Sequence, residues 1–284
     1  MEEKRDSFYD KSYRSLFSYP QMVEELIRDF VQESWVKELD FSTLEKVNSQ
    51  YTSQFLDERE ADVVYKIRLG EQDVYIYILI EFQSTVEKFM ALKVLTYILL
   101  FYQDLIRQGK VKEKLPFVFP LVLYNGDSRW TAAQEISDLI QVPSKELLRY
   151  QVQFSYNLVA VNTLDTDLLS ELRDAVHTLF FLENSGGKEF DENLERIGEA
   201  ILHLSDKNLQ RELFHFLFGF IKRKGMDTIK LDTVNVPEVK TMLRTSMEEY
   251  KKELETNAKK ERNIEIAQNM LEKGLEVKFI SEVT

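Results

Sequence analysis

The sequence predicts an α/β protein, with strands concentrated before residue 165 and helix from there to the end. Three observations lead to this class. Two β-rich runs, ADVVYKIRL (61–69) and VYIYILIEF (74–82), are separated by GEQD, the signature of a hairpin. Two further apolar strands, within 115–130 and 154–165, follow a long helical stretch, so strand and helix alternate. Beyond 166 the apolar residues recur at helical spacing, and nine glycines and five prolines in 284 residues leave room for long regular elements.

Taken in order, SYPQMVEELIRDFVQESW predicts a helix beginning at Pro20, because proline is tolerated in a first turn. Met22, Leu26, Ile27 and Phe30 then form one stripe. FSTLEKVNSQYTSQF (41–55) is ambiguous, with a strand expected around 47–55. TVEKFMALKVLTYILLFYQDLIRQGK (85–110) predicts a long helix that Gly109 ends. Phe117 to Tyr124 reads as a buried strand before the Asn125-Gly126 turn, where Trp130 serves packing. FSYNLVAVNTLD holds another strand, and DLLSELRDAVHTLFFLE, ENLERIGEAILHLS and LQRELFHFLFGFIKRK read as helices. Residues 246–273 form a charged helix suited to solvent or to pairing.

Within the hairpin, a symmetric loop sets Leu69 opposite Val74, Ile67 opposite Ile76 and Tyr65 opposite Ile78. The same register sets Asp62 opposite Glu81 and Glu60 opposite Gln83. Alternation then gives one face Val63, Tyr65, Ile67, Leu69, Val74, Ile76, Ile78 and Ile80. The other face carries Glu60, Asp62, Val64 and Lys66 with Tyr77, Leu79, Glu81 and Gln83. Glu81 and Gln83 lie roughly 6.6 Å apart along it, and directly opposed residues about 5 Å apart at Cβ. Acidic groups are therefore expected to converge at one end of one face.

Composition narrows the chemistry. The chain has no cysteine, which excludes disulfides, thiol nucleophiles and thiolate metal sites. Its three histidines, His177, His203 and His215, are scattered and assigned to helix surfaces or satisfied core positions. A metal would need oxygen ligands, which suit magnesium or manganese. The polar start MEEKRDSFYDKSYR lacks the apolar core of a secretion signal, and no apolar run is long enough to cross a bilayer, so a cytoplasmic protein without membrane contact is expected. A net charge of −12 disfavours non-specific nucleic-acid binding, although RQGKVKEK (107–114) offers a local basic stretch. That stretch reads first as a solvated loop and second as a contact to a DNA backbone.

Two carboxylates about 4 Å apart repel by roughly 4 kcal/mol at an effective dielectric near 20. From the residues alone, Asp62 and Glu81 read either as strand-end groups paired with Lys66 or Lys93, or as ligands of a hard divalent cation. The second arrangement is the chemistry of metal-assisted phosphodiester hydrolysis.

The ordered stretches EADVVYKI, VYIYILIEFQST, KFMALKVLTYILLFYQ and PFVFPLVLYNGDSRW resemble the recombination-promoting nuclease family, also called YhgA-like transposases. The opening YDKSYRSLFSYP, the later VNTLD and the tail EIAQNMLEKGLEVKFISEVT extend that resemblance over most of the chain. Each motif is short, and the specificity lies in their order and spacing. The family belongs to the PD-(D/E)XK nuclease superfamily. The resemblance implies a restriction-endonuclease-like core, a central mixed sheet flanked by helices, with a metal site at the end of the hairpin and a helical C-terminal region. By position, Asp62 corresponds to the acidic residue of the second core strand and Glu81 to that of the third. Gln83 stands where many superfamily members carry lysine, although glutamine is usual in this family. A neutral amide can orient water but cannot supply lysine's charge. Lys93 would supply that cation if its helix packs over the active face. The implied catalytic set is Asp62, Glu81, Gln83 and Lys93, with Asp62 and Glu81 holding Mg²⁺ or Mn²⁺ and no organic cofactor. Asp10 would reach the site from the first helix or cap that helix, and Glu60 would be a third ligand or a solvated residue.

The function so implied is a metal-dependent endonuclease that hydrolyses DNA phosphodiester bonds in recombination or element mobility. Two alternatives stay open: a nuclease-fold scaffold with weak or no activity that binds DNA or protein partners, and a nuclease directed at RNA. Cutting both strands of a duplex favours a homodimer, for which 246–273 is the pairing candidate. The expected organisation is a nuclease core over 1–165, a helical region packed on it over 166–245, and a charged segment over 246–284. That last segment reads as entering another helix, so the ordered design is expected to continue past Thr284.

Overall fold

A computed structural model describes residues 11–47, 63–81, 86–185, 187–223 and 236–272. The chain divides into two compact units, Met1–Asn193 and Leu194–Thr284.

The first unit begins with a short helix, α1 (11–16), and α2 (Pro20–Phe30). Met22, Val23, Leu26 and Ile27 of α2 are buried, close to the stripe its periodicity predicts. Five strands follow: β1 (Leu39–Lys46), β2 (Val63–Leu69), β3 (Gln72–Glu81), β4 (Phe117–Tyr124) and β5 (Asn157–Ala160). They form one sheet in the order β1-β2-β3-β4-β5. β1, β2 and β3 are antiparallel neighbours, whereas β4 runs parallel to both β3 and β5. The sheet is thus mixed, as expected. β1 ends at Lys46, before the strand expected around 47–55, and residues 48–62 lie outside the described residues.

The hairpin register differs from the predicted one by two residues. Leu69 faces Gln72, Ile67 faces Val74, Tyr65 faces Ile76 and Val63 faces Ile78. Gly70 explains the shift: its φ of 60° lets the chain reverse straight after Leu69, leaving only Gly70 and Glu71 in the turn. A two-residue shift preserves both faces, so the alternation holds. Tyr65, Ile67, Ile76 and Ile78 are fully buried, and the Tyr65 hydroxyl donates to the Phe17 carbonyl at 3.0 Å, so the segment from α1 to α2 covers this face. The pairing of Asp62 directly opposite Glu81 belongs to the predicted register, and Asp62 itself lies outside the described residues.

The opposite face is covered by α3 (Met90–Arg107), the crossover between β3 and β4. Tyr77, Leu79, Val118 and Val122 of the sheet cluster with Met90, Val94, Ile98, Phe101 and Leu105. Tyr75 and Tyr77 each meet Phe101 edge-on, with centroids 5.2 and 6.4 Å apart. α3 stops where Gly109 predicts: Gly109 N–H donates to Ile106 O at 2.9 Å and Lys110 N–H to Leu105 O at 3.0 Å. Pro120 sits one residue before the register of β5 begins at Leu121, where β4 is still an edge on that side.

The unit ends with α4 (Thr166–Leu169) and α5 (Ala175–Asn184). α6 (Gly187–His203) leads into the second unit, which holds α7 (Lys207–Arg223) and α8 (Pro237–Glu272). Asp206 caps α7 by accepting from Asn208 and Leu209 N–H, and the buried Gln210 amide donates to the Leu202 and Leu204 carbonyls that end α6. Val239 approaches Gly198 so closely that a Cβ there would lie 2.4 Å from its Cγ1. α8 buries Val239, Leu243 and Ser246, all before its charged remainder. Among the described residues no helix is long and apolar enough to cross a membrane.

Candidate active site at the end of the parallel strands

β3, β4 and β5 run in the same direction, so their C-terminal ends share one edge of the sheet. In register, Glu81 ends β3 beside Tyr124, the last residue of β4, and Tyr124 lies beside Ala160, the last of β5. Crevices at the carboxyl ends of parallel strands are where open α/β sheets place their ligands. Glu81 is the one member of the predicted set that the strands place, and it is placed by its backbone. Asp62 and Gln83 lie outside the described residues, as do Asp10 and Glu60. Lys93 is half-buried in the second turn of α3, the helix that covers Tyr77 and Leu79. Its helix thus packs on the face of the sheet that Tyr77 and Leu79 share.

The loop after β4 is tied down on several sides. Asn125 Nδ2 donates to the Tyr13 hydroxyl at 3.0 Å, and that hydroxyl donates to Glu183 Oε2 in the last turn of α5. Asn162 Nδ2 donates to the Gly126 and Ser128 carbonyls at 2.8 and 2.9 Å, and the Tyr124 hydroxyl donates to Ser128 O at 2.8 Å. Gly126 is required by this folding-back, since a Cβ there would lie 2.3 Å from the Tyr124 hydroxyl oxygen. Trp130 stacks edge-on against Tyr124 at 4.8 Å, the packing role predicted for it. Tyr13, Asn125, Asn162 and Glu183 were not singled out from sequence for this edge. Their only sequence signal was the conspicuous Asn-Gly pair, which reads equally well as an ordinary turn.

Two basic features lie elsewhere. Lys66 pairs with Glu45 at 2.6 Å and stands 3.9 Å from Asp73; the Glu45 bond holds its pKa above the usual lysine range. It sits opposite Tyr75, six residues and about 20 Å along β3 from Glu81, so it cannot be the partner of that carboxylate. The basic 107–114 segment precedes Phe117, which pairs with Val74, and so lies at the other end of the sheet, about 23 Å from Glu81 along the strand.

A second cluster stands at the start of α5. Asp29, Asp174 and His177 bring one ligand atom each within 4.8 Å of one another, close enough to share an ion. The hydrogen bonds give a different account. Arg173 Nη2 lies 2.8 Å from His177 Nε2; a guanidinium only donates, so Nε2 accepts and the ring proton sits on Nδ1. Nδ1–H then donates to Asp174 at 2.9 Å, with Asp29 at 3.7 Å, and no lone pair is left there for a metal. Asp174 also caps α5 by accepting from His177 N–H at 2.8 Å, and Glu25 of α2 accepts from Val176 N–H at 3.1 Å. Burial pushes the Glu25 carboxyl up to about 7, with Asp174 adding to the rise, against the hydrogen bonds from Gln21, Val176 and Ala175. Burial and the neighbouring Asp174 also raise Asp29, whereas the His177 and Asp29 hydrogen bonds outweigh burial and lower Asp174. His177 is fully buried and stacks on Phe30 at 5.0 Å. It is the satisfied core histidine that sequence predicts, and these residues join α2 to α5.

Comparison with known proteins agrees with the resemblance. The family described as "Putative transposase, YhgA-like" matches residues 7–212. The inactive recombination-promoting nuclease-like protein RpnE of Escherichia coli (strain K12) is 22% identical over 254 residues, 82% of each chain. The recombination-promoting nuclease RpnA of the same strain is 23% identical, covering 86% of this chain and 82% of its own. The recombination-promoting nuclease RpnD of Escherichia coli O157:H7 is 23% identical over 57% of this chain and 70% of its own. No solved structure matches the chain. The match over residues 7–212 takes in the whole sheet and both helical layers, and on that ground the chain belongs to the YhgA-like transposase family.

Proposed function

We propose that the protein is a divalent-metal-dependent endonuclease that hydrolyses DNA phosphodiester bonds in recombination, with its site at the carboxyl end of β3. The observation that carries this reading is Glu81. A strand whose residues from Ile76 to Ile80 are all buried ends in a glutamate, at the edge where three parallel strands stop. Family membership and the nucleases RpnA and RpnD among its relatives support the same reading.

On this reading Asp62 and Glu81 hold Mg²⁺ or Mn²⁺, and their oxygen-only donor set suits a hard cation. Such an ion, when bound, acidifies coordinated water and screens charge on the phosphoryl group. Gln83 orients the attacking water through its amide, which donates and accepts but takes up no proton. Lys93 of α3 would supply the positive charge that Gln83 lacks. Two copies paired through the charged part of α8 would present two such sites to the two strands of a duplex, within the cytoplasm.

The test is nicking of supercoiled plasmid titrated with Mg²⁺, Mn²⁺ and EDTA, comparing wild type with Asp62→Ala and Glu81→Ala. Metal-dependent cutting that both variants lose, with their folding intact, is the expected result. A second reading has its own observation: RpnE, which matches 82% of this chain, is named inactive. Wild type that binds DNA but cuts nothing in either metal would establish that scaffold reading instead.

A further inference from the structure

Tyr13 bears on the Glu81 edge, given the nuclease reading of that edge. Tyr13 is fully buried in α1, yet its hydroxyl is used twice: it accepts from Asn125 Nδ2 at 3.0 Å and donates to Glu183. These partners are 112 and 170 residues away in the chain. One phenol therefore ties together α1, the loop after β4 and the end of α5. Asn125 directly follows Tyr124, the residue paired with Glu81. The tie consequently sets where β4 ends beside the acidic end of β3.

The position of Glu183 gives the arrangement its direction. It lies in the last turn of α5, where the helix dipole disfavours a carboxylate, and it is half-buried there. Packing alone would be served better by an apolar residue, because burying a carboxylate is costly unless donors meet it. Here the Tyr13 hydroxyl is such a donor. Asn162 and Tyr124 bond to the Gly126 and Ser128 carbonyls of the same loop, so Asn125 lies between residues held at both ends.

We propose that Tyr13 is a positioning residue of the acidic site, acting through Asn125, with Glu183 as the acceptor that orients its hydroxyl. Groups that hold ligands in place, without touching the ion, typically contribute 10–100-fold in metal affinity or activity. The measurement is Mn²⁺ affinity by electron paramagnetic resonance, with plasmid nicking and thermal melting on the same full-length samples. Tyr13→Phe removes only the hydroxyl. It is expected to weaken Mn²⁺ binding and lower kcat by about tenfold each while leaving KM for plasmid unchanged. Glu183→Ala should behave alike, whereas Glu183→Gln keeps an acceptor and should stay within about twofold of wild type.

Folded Tyr13→Phe and Glu183→Ala proteins with wild-type Mn²⁺ affinity and kcat would overturn the positioning role and leave the nuclease reading intact. Glu183→Gln as impaired as Glu183→Ala would overturn it too, by showing that the charge itself is what counts. Wild-type protein that binds no Mn²⁺ and nicks nothing would remove the nuclease reading and this inference together, a result distinguishable from the other two by the wild-type arm.

Discussion

The two ends of α5 hold carboxylates by opposite logic. At its start, Glu25 and Asp174 accept from the first-turn N–H groups, Asp174 also accepts from the His177 ring, and Asp29 stands close by. This is the positive end of the helix dipole, where carboxylates are favoured. At its end, about 15 Å away for ten residues, Glu183 sits where the dipole is negative and is met by a phenol from α1. The first cluster contains histidine and two aspartates, the composition of a metal site, yet its proton is already committed. The second has no such composition, but it adjoins the strand end that carries Glu81. Residue types alone mislead here; donor and acceptor directions decide.

The sharpest way to break this contrast is at Glu81. Glu81→Ala should lower plasmid nicking by more than about hundredfold, beyond what supporting residues contribute, with no loss of thermal stability. Nicking that survives would move the chemistry away from the β3 edge. At the start of α5 the same comparison should invert. Asp174→Ala removes a helix cap and leaves the buried His177 Nδ1–H without an acceptor, costing about 2–4 kcal/mol in chemical denaturation. The folded fraction should nick plasmid at the wild-type rate, and a fall in kcat there would show that this end of α5 is catalytic after all.

The pH dependence of stability sharpens the contrast further. The Glu25 pKa is raised from 4.5 to about 7 in the folded protein, so the native state holds that proton more tightly than the unfolded chain. Stability from this group is present below the unfolded value and is lost as pH rises through about 7, by about 3 kcal/mol at most. Asp174 has the opposite sign: its lowered pKa makes stability fall as pH drops below the usual aspartate range. Glu25→Gln keeps an acceptor for Val176 N–H and should flatten the loss between pH 5 and about 7.5, measured by urea denaturation at each pH. An unchanged profile would assign the loss to another group. The smallest effect is expected from Asp29→Asn, which should leave Mn²⁺ affinity within about twofold of wild type. A tenfold weakening would make the Asp29, Asp174 and His177 group a true ion site.

Much of the fold was legible because its signals are short-range. Alternation over 63–80 identified both faces of the hairpin, and a two-residue change of register left them intact. β4 was read with its bounds, Phe117–Tyr124, and Gly109 marked the end of α3. The register itself was not legible, because GEQD admits more than one turn and the choice depended on where a positive φ was cheapest. β1 was missed as a strand from 39, because LDFSTLEK alternates weakly and contains a bulge between Asp40 and Glu45. At the candidate site, Glu81 was legible as a carboxylate ending an apolar strand. The alternative partner Lys66 fell away only when the sheet showed it bound to Glu45.

By itself, then, the sequence determined an α/β chain without thiol chemistry, a hairpin with one wholly apolar face, and a carboxylate at the end of its second strand. These follow from composition and from periodicities of two and 3.6 residues, which act over a few neighbours. Only the tertiary structure decided that β3, β4 and β5 end together, that α3 covers the face beside Glu81, and that Tyr13 reaches Asn125 and Glu183. The strand ends so joined are about forty positions apart and the Tyr13 partners more than a hundred. Local propensity says nothing about such distances, because what sets them is the burial of both faces of one sheet at once.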